Sequence, residues 1–546
     1  MKRTQHTIVR GMLVAGMAVA LAFAGCTKNF EDLNKNPFGV SEEELKWDYQ
    51  YIGEPFKQIQ RSIYVSNPTW VFQIQQNLMG DLFAGYMTPP NPFGNLNNNN
   101  NTYNLQDGWN VALWGCAYGS YTSSSENSVM PVCKYLAELT EKESPHFYAW
   151  MKVLKVLTMH RIADVYGPII YTKYGQLNAD GSVDYDSQKD AYYAFFADLD
   201  QAITILTKYM DDGAAPAFTK FDLSPYAGDY KKWLQLANSL RLRLAIRISK
   251  VDPQKAKLEG EAALKHKAGL LEVHTDNLTI DIAPMEHPMS SISEGWQDAR
   301  MAAPMESILV GLNDPRLTKY FKASVDYPGQ FKGIRQGVDM PEKGRYVNFS
   351  RLNNDGDLFA SKRVQLMTAA EVWFLRAEAA VRNWDGAGTA QANYEKGIEV
   401  SFTQHGTSGS FATYRDDAVS KPAPYTDPKN AANNIAAGNP NLSTITVKWD
   451  DAASDARKLE RIITQKWIAV FPDGQEAWAE FRRTGYPKLF PVMINNSGGK
   501  ISTTDFVRRV NFVQTEYETN PKGVQQATTL LGGPDNGGTR LWWDKP

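Results

Sequence analysis

The sequence predicts a mostly α-helical fold in which neighbouring helices form hairpins. The main observation is that apolar residues recur every three to four positions along eight segments, which is the spacing of one face of a helix. Alternating patterns typical of strands are few and short, at 278–282, 345–349 and 444–447. Short connections join successive helical segments into pairs that resemble tetratricopeptide-like hairpins. No strict repeat is visible, so we do not expect a regular solenoid.

The predicted helices are separated by recognisable start and turn signals. They span 146–166, 191–206, 233–248, 253–271, 368–382, 389–402, 455–470 and 475–484. Asp186 and Ser187 can start the second of them, and a Pro472-Asp473-Gly474 turn divides the last two. Ala379 and Ala392 lie among large residues, as close helix packing requires. Two stretches of low helical character, 89–107 and 408–446, are predicted to be long surface loops, which are often functional or mobile.

The first 25 residues have the pattern of a bacterial lipoprotein signal. Basic residues precede an apolar run at 11–24, which at about 14 residues is too short for the ~20 that a membrane-spanning helix needs. Small residues then lead to Cys26, which we predict to be the lipidated residue, although Phe23 stands where leucine is usual. The alternative is a plain secretory signal and a chance cysteine. We expect a signal peptide at 1–25, a lipidated tether at 26–40 and one helical domain with long inserted loops at 41–546.

Charge excludes one class of partner. The chain has 58 Lys+Arg and 60 Asp+Glu, a net charge of −2, and removal of 1–25 takes away three basic residues and no acidic ones, leaving 55 − 60 = −5. A chain of this charge has no electrostatic basis for binding nucleic acid.

Besides Cys26, the only cysteines are Cys116 and Cys133. They could pair in an oxidising envelope or remain buried thiols, and in neither case does the fold depend on disulfides.

Seven motifs occur in order along the chain. They are 30–37 (FEDLNKNP), 161–171 (RIADVYGPIIY), 185–188 (YDSQ), 228–243 (GDYKKWLQLANSLRLR), 314–317 (DPRL), 465–487 (QKWIAVFPDGQEAWAEFRRTGYP) and a C-terminal set within 508–545. Together they resemble the SusD/RagB family of outer-membrane nutrient-binding lipoproteins of Bacteroidota, over essentially the whole chain. One departure is Ile170, which stands where that family commonly has proline.

The resemblance implies a mostly α fold, with tetratricopeptide-like hairpins and an irregular loop-rich half. It also implies a lipid-anchored protein of the outer membrane that faces the cell exterior. Such proteins capture an oligosaccharide and deliver it to a SusC-like TonB-dependent transporter, without catalysis. RagB-like members capture peptides, which is one alternative here. A lipid-anchored glycoside hydrolase is a second, weaker alternative.

Most residues that suggest chemistry are better explained as structure. Trp467 and Trp478 lie among apolar helical neighbours, so we expect core positions. Glu476 and Glu480 stand beside arginines on one helix and are expected to form structural ion pairs, and Arg241, Arg243 and Arg247 suit a buried polar network or a solvated face. No catalytic motif is present. The segment 351–362 has calcium-loop spacing but basic residues at its first and last ligand positions, so it is not a calcium loop. We predict no metal site and no cofactor, and a surface calcium ion elsewhere is the alternative that the sequence leaves open.

The candidate ligand site lies in two irregular segments. Aromatic faces and planar amide or guanidinium donors suit sugars. The first segment, the loop from Tyr86 to Tyr103, offers Tyr86, Phe93, Asn95 and Tyr103 together with the amides of 97–101, and its alternative interpretation is a merely flexible polar loop. The second, 284–300, offers Trp296 next to a glycine, with Arg300 four residues later. We rank Trp296 first, because a tryptophan in an irregular segment is more often exposed than one on a helix face.

Overall fold

The structure, a computed structural model, describes residues 47–94, 97–119 and 128–546. The predicted signal peptide, the tether and Cys26 therefore lie outside the described residues. Residues 52–546 form one compact unit, and 47–51 belong to a separate N-terminal unit. No helix in the described residues is long and apolar enough to cross a membrane. Cys116 and Cys133 are both buried free thiols.

Nineteen α-helices make up somewhat under half of the described residues and are the main regular structure there. In order they are α1 (Gln50–Ile63), α2 (Thr69–Phe72), α3 (Asp107–Tyr118), α4 (Met130–Thr140), α5 (Pro145–Tyr166), α6 (Gln188–Asp211), α7 (Tyr230–Arg247), α8 (Pro253–Lys265), α9 (Pro288–Ser290), α10 (Ala303–Gly311), α11 (Leu317–Tyr320), α12 (Asp357–Ala360), α13 (Ala369–Val381), α14 (Ala390–Gln404), α15 (Phe411–Arg415), α16 (Asp455–Ala469), α17 (Gly474–Thr484), α18 (Gln514–Thr519) and α19 (Pro521–Leu531). The predicted mostly α-helical class is confirmed.

Strands are short and pair in twos. β1 (Met87–Thr88) pairs antiparallel with β3 (Arg300–Met301), and β2 (Leu278–Asp281) pairs antiparallel with β4 (Arg363–Met367). The strand predicted at 278–282 is therefore confirmed. Those predicted at 345–349 and 444–447 are wrong, because these stretches form turns and irregular backbone instead. Two π-helical stretches, Gln73–Asp81 and Ser291–Gly295, extend α2 and α9.

Side-chain caps fix the starts of seven of the eight predicted helices. In each of the seven, a side-chain oxygen of the Ser, Thr or Asp that precedes the helix accepts a hydrogen bond from a backbone N–H in the first turn. The capping residues are Ser187, Asp229, Asp252, Thr368, Thr389, Ser454 and Asp473. Each cap satisfies a donor that the helix itself cannot pair.

Adjacent helices pack as the predicted hairpins. α5 packs against α6, α6 against α7, α7 against α8, and α13 against α14. Trp150 on α5 lies between two stacked rings, with centroids 4.3 Å from Phe56 and 4.5 Å from Phe218. Gly397 allows α14 to approach α13, since an added Cβ would come within 2.7 Å of the Phe374 ring. Ala379 is buried as predicted. Ala392 is exposed, so the close-packing role predicted for Ala392 belongs to Gly397 instead.

A buried charge network joins α7, α13, α16 and α17. Its members are Arg243, Arg247, Lys466, Arg483, Glu371, Glu378, Glu476 and Glu480. Every one of these side chains is at most 4% exposed. Buried charges are tolerated only when they are paired and hydrogen-bonded. The prediction that Glu476 and Glu480 form structural ion pairs is confirmed.

Candidate functional site

The pairing of β1 with β3 brings the two predicted ligand segments together. Met87 lies opposite Met301 and Thr88 opposite Arg300, so the start of the Tyr86–Tyr103 loop runs beside the end of the 284–300 segment. The backbone N–H of Ala302 also donates to the carbonyl of Tyr86, at 3.1 Å. Two segments some two hundred residues apart in sequence therefore form one surface region.

Trp296 follows the π-helical end of α9 and is 39% exposed. Its backbone N–H donates to the carbonyl of Ser291 at 2.7 Å, and its own carbonyl accepts from the ammonium group of Lys343. The next residue, Gln297, has a left-handed backbone conformation (φ 56°), which turns the chain sharply after the ring. The backbone that carries Trp296 is thus held in place while part of its ring meets solvent.

A set of polar side chains around Asp298, here called the Asp298 cluster, fixes this region. One carboxylate oxygen of Asp298 accepts from Gln73 Nε2 at 3.2 Å. The other accepts from Asn91 Nδ2 at 2.9 Å and from Lys343 Nζ at 2.7 Å. Gln73 lies in the π-helical stretch that extends α2, and Asn91 lies in the Tyr86–Tyr103 loop. Asp298 follows Trp296 in the chain, and Lys343 lies in the 343–345 turn. Asp298 therefore cross-links four separate stretches of chain directly beside Trp296.

Trp70 is a second exposed ring that the sequence prediction missed. It lies in the first turn of α2, three residues before Gln73, so it occupies the same helical face one turn away from the Asp298 cluster. Its ring is 43% exposed. The signal for its exposure is the apolar stripe of Val71, Ile74 and Leu78, which is buried and leaves Trp70 off the buried face.

Arg300 contradicts its prediction as a donor to ligand hydroxyls. The residue is only 3% exposed, and its guanidinium donates to the carbonyls of Val347, Ser293 and Ala299 at 2.5, 2.9 and 2.7 Å. Burial lowers the pKa of this guanidinium to about 10. Arg300 therefore holds the backbone around Trp296 together and does not face solvent.

Tyr86 and Tyr103 also contradict the prediction of ligand-facing rings. They are 0% and 2% exposed. The Tyr86 hydroxyl donates to the carbonyl of Trp467, and its ring packs 4.8 Å from the Trp467 ring and 5.2 Å from that of Phe471. Tyr103 occupies a left-handed position that ends a short 3₁₀ turn. Both rings are core residues at the two ends of the loop.

The asparagine-rich part of the loop is ordered by its own amides and is not a merely flexible segment. Asn97 donates to the carbonyl of Met340 at 2.7 Å. Asn100 donates to the carbonyl of Leu78 at 3.0 Å and accepts from the backbone N–H of Gln106. Asn101 accepts from the backbone N–H of Gly337. These buried amides replace the backbone pairing that a helix or sheet would provide.

Phe93 is half-buried, with its ring 5.2 Å from that of Trp109, and it packs against the cluster that includes Val71 and Ile74. Asn95 lies outside the described residues. Of the residues predicted to contact a ligand, the structure therefore leaves Trp296 exposed and Phe93 partly exposed.

The surface formed by Trp296, Trp70 and the Asp298 cluster suits binding more than chemistry. Both oxygens of Asp298 are occupied by donors, and Glu294 pairs with Arg351 at 2.9 Å. A hydrolase needs an acid and a base free to exchange protons with substrate. Within the described residues no group of three or more His, Cys, Asp or Glu side chains could hold a metal ion.

Comparisons with known proteins give one consistent result. The family described as "SusD-like: Susd and RagB outer membrane lipoprotein" matches residues 32–544. A chitin-binding SusD homologue from Flavobacterium johnsoniae is 46% identical, with a TM-score of 0.85 over 91% of this chain and 99% of that one. SusD homologues from Bacteroides vulgatus and Bacteroides thetaiotaomicron are 36% and 34% identical, with TM-scores of 0.84 and 0.82 over 91% of this chain and 99% of theirs. None of the curated proteins matches.

Proposed function

We propose that this chain, which belongs to the SusD-like family of outer-membrane lipoproteins, captures an oligosaccharide at the cell surface and delivers it to a SusC-like TonB-dependent transporter. The observation that carries the proposal is the exposed Trp296 ring, whose backbone is bonded to Lys343 of the Asp298 cluster, with Trp70 one helical turn from Gln73. A flat aromatic face packs against the C–H side of a sugar ring, while amide and charged groups beside it bind hydroxyls. Chitin oligosaccharides are the first ligands to test, because the Flavobacterium johnsoniae homologue, at 46% identity, binds chitin.

Replacing Trp296 with alanine is expected to weaken glycan binding about tenfold or more. Stacking contributes on the order of 1 kcal/mol beyond the buried area, and ~1.4 kcal/mol corresponds to one decade in affinity. Because the ring is partly exposed, the midpoint of thermal unfolding should stay nearly unchanged. Calorimetric titration of the full-length protein in detergent with chitin oligosaccharides measures the first quantity, and a thermal melt measures the second.

Tyr135→Ala is the matched control for Trp296→Ala. Tyr135 is 47% exposed on α4, a helix that packs against α5 and contributes nothing to the Asp298 cluster. It should bind glycan like the unmodified chain. A loss of several degrees of stability in Trp296→Ala would assign the ring to the core. Unchanged affinity would reject Trp296 as a platform, and binding of peptides in place of glycans would favour the RagB-like alternative.

Replacing Cys26 with serine is expected to release a folded protein from the outer membrane. In the proposed anchor the cysteine thiol carries the acyl chain, and a serine cannot be lipidated in its place. Fractionation of cells followed by a high-salt wash measures the membrane-bound share. A Cys116→Ser variant controls for the loss of a thiol elsewhere. A Cys26→Ser protein that stays with the membrane after the wash would contradict lipid anchoring.

A further inference from the structure

A cavity among the helical hairpins is lined by three lysines. It has a volume of about 360 Å³ and lies between α4, α5 and α6 and the segment 171–174. Lys134, Lys152 and Lys155 line it, together with one carboxylate, Asp198. None of these residues belongs to the surface around Trp296 or to the buried charge network.

Asp198 is fully occupied by two partners. One of its oxygens accepts from Lys152 Nζ at 2.5 Å, and the other accepts from the Tyr171 hydroxyl at 2.5 Å. The Asp198 side chain is 16% exposed and that of Lys152 is 11% exposed. This carboxylate therefore neutralises one lysine inside a partly enclosed space.

Lys155 and Lys134 remain as excess positive charge. Lys155 Nζ is 3.7 Å from the Asp198 oxygen that the tyrosine already uses, and it lies 3.8 Å from the centre of the Tyr171 ring. Its side chain is only 18% exposed. Lys134 is exposed at the rim, and within the described residues it forms no ion pair. Among the residues that line the cavity, three ammonium groups thus face one carboxylate, an excess of two positive charges. A second carboxylate, that of Asp186, is not part of the lining and accepts from the backbone N–H groups of Tyr171 and Thr172.

An excess of charge in a partly enclosed space is costly, and a bound counter-charge removes that cost. The same enclosure strengthens the attraction, since the effective dielectric constant there is lower than in water. The other titratable side chains that face the cavity do not oppose an anion. Burial raises the pKa of the Cys133 thiol to about 12, so it stays neutral, and burial raises the pKa of the Tyr171 hydroxyl.

We infer that this lysine cavity binds a ligand that carries a carboxylate, sulfate or phosphate group. Lys155 and Lys134 would hold the anionic group. Half-buried Tyr148 and Tyr174 in the wall offer ring surface to the carbon skeleton of an acidic sugar. The same chemistry also fits a free inorganic oxyanion, so the experiment must separate these two sources. This site is additional to the proposed glycan surface and does not depend on it.

The test is calorimetric titration of the full-length protein in detergent with glucuronic acid, sodium sulfate and uncharged glucose, at constant ionic strength. We expect saturable binding of an anion and none of glucose. Lys155→Met and Lys134→Met should each weaken anion binding on the order of tenfold, the loss of one close charge. Lys134 is exposed, so its variant tests the site even if Lys155→Met destabilises the fold.

Two controls make the outcome specific. Lys208→Met removes a charge from the exposed end of α6, where Lys208 pairs with Asp212, and should leave binding unchanged. Trp296→Ala should also leave it unchanged, which separates this site from the glycan surface. Binding of glucuronic acid alone would identify an acidic saccharide as the ligand, and equal binding of sulfate would identify a general oxyanion site. Absence of saturable anion binding, or an equal loss in Lys208→Met, would overturn the inference.

Discussion

Replacing Arg247 with methionine is expected to lower the free energy of unfolding by about 3–5 kcal/mol, the usual cost of removing one partner from a buried ion pair. Arg247 is fully buried on α7, and its guanidinium donates to Glu476 at 2.6 Å and to Glu480 at 2.5 Å. Methionine fills much of the same volume. The loss is therefore one of charge compensation more than of packing.

The two carboxylates show why the cost is large. Burial by itself would raise the pKa of Glu476, but Arg247, Lys466 and Arg243 together hold it well below its usual range. Burial likewise opposes ionisation of Glu480, whose pKa is lowered by Arg483, Lys466 and Arg247. Without Arg247, the negative charges of Glu476 and Glu480 on successive turns of α17 lose one of the cations that compensate them.

Chemical denaturation at neutral pH measures this prediction. Arg61→Met is the matched control, since Arg61 is exposed on α1 and its loss should change stability by no more than about 0.5 kcal/mol. A double variant, Arg247→Met with Glu480→Gln, should lose less than the sum of the two single variants, because the second change removes a charge that the first left uncompensated. A loss below about 1 kcal/mol in Arg247→Met would show that the network contributes little.

Most of the helical framework could be predicted from sequence because its determinants are local. The apolar spacing of 146–166 and 233–248 and the caps at Ser187 and Asp473 lie within or beside the helices that they specify. The structure shifts helix ends by a few residues. Among the eight predicted helices the largest difference is at α8, which ends at Lys265 although the prediction extends to 271. Four further helices, α1, α3, α4 and α19, which have 14, 12, 11 and 11 residues, are not among those predicted from the sequence.

The loop from Tyr86 to Tyr103 shows what local patterns do not contain. Its composition suggested either a sugar site or a flexible segment, yet its amides are buried against partners far away in sequence. Asn97 donates to Met340, 243 residues away, and the Tyr86 hydroxyl donates to Trp467, 381 residues away. An asparagine both donates and accepts, so the same residue suits solvent or a fully bonded interior, and only the tertiary partner decides.

The two exposed tryptophans illustrate the same limit. The glycine before Trp296 and the irregular segment around it predict an exposed ring, and the ring is 39% exposed. The guanidinium of Arg300, four residues later, turns inward to three carbonyls that sequence spacing gave no reason to expect. Trp70 lies outside every segment that the sequence patterns predict to be a helix or a loop, so they do not indicate its exposure. The apolar spacing of Val71, Ile74 and Leu78 is the signal that sets Trp70 off the buried face.

Stability is expected to fall steeply as the pH drops below about 6.5, because four histidines are held in uncharged form inside the fold. Burial lowers the pKa of His146 to about 4 and that of His287 to about 3. Burial together with Arg316 lowers the pKa of His405 to about 3, and burial together with Arg243 and Arg161 lowers that of His160 well below its usual range. In the unfolded chain these rings take up protons near pH 6.5. Between the folded-state pKa of each ring and its unfolded-state pKa near 6.5, the folded state therefore binds fewer protons than the unfolded state.

The sign follows from that difference. When the unfolded state binds more protons, acidification favours unfolding by about 1.4 kcal/mol per pH unit for each proton. The contribution of each ring is complete above pH 6.5 and is lost as the pH falls towards its folded-state value, near pH 4 for His146 and near pH 3 for His287. Four such rings give a slope of up to about 5.5 kcal/mol per pH unit around pH 5.

Denaturation curves measured between pH 7 and pH 4.5 test this mechanism for one ring. The unmodified chain is compared with His287→Asn. His287 precedes α9 and accepts from the backbone N–H of Met289 at 3.2 Å, a bond that the oxygen of asparagine can also accept. His287→Asn loses the ring contacts with Phe72 and Phe359 at every pH. Its slope should nevertheless be shallower by about 1.4 kcal/mol per pH unit, because one proton fewer is taken up on unfolding. The exposed His274, changed to asparagine, is the control and should keep the original slope.

Equal slopes in His287→Asn and the unmodified chain would show that His287 does not take up a proton on unfolding. The acid sensitivity of the fold would then have to come from the buried carboxylates of the charge network.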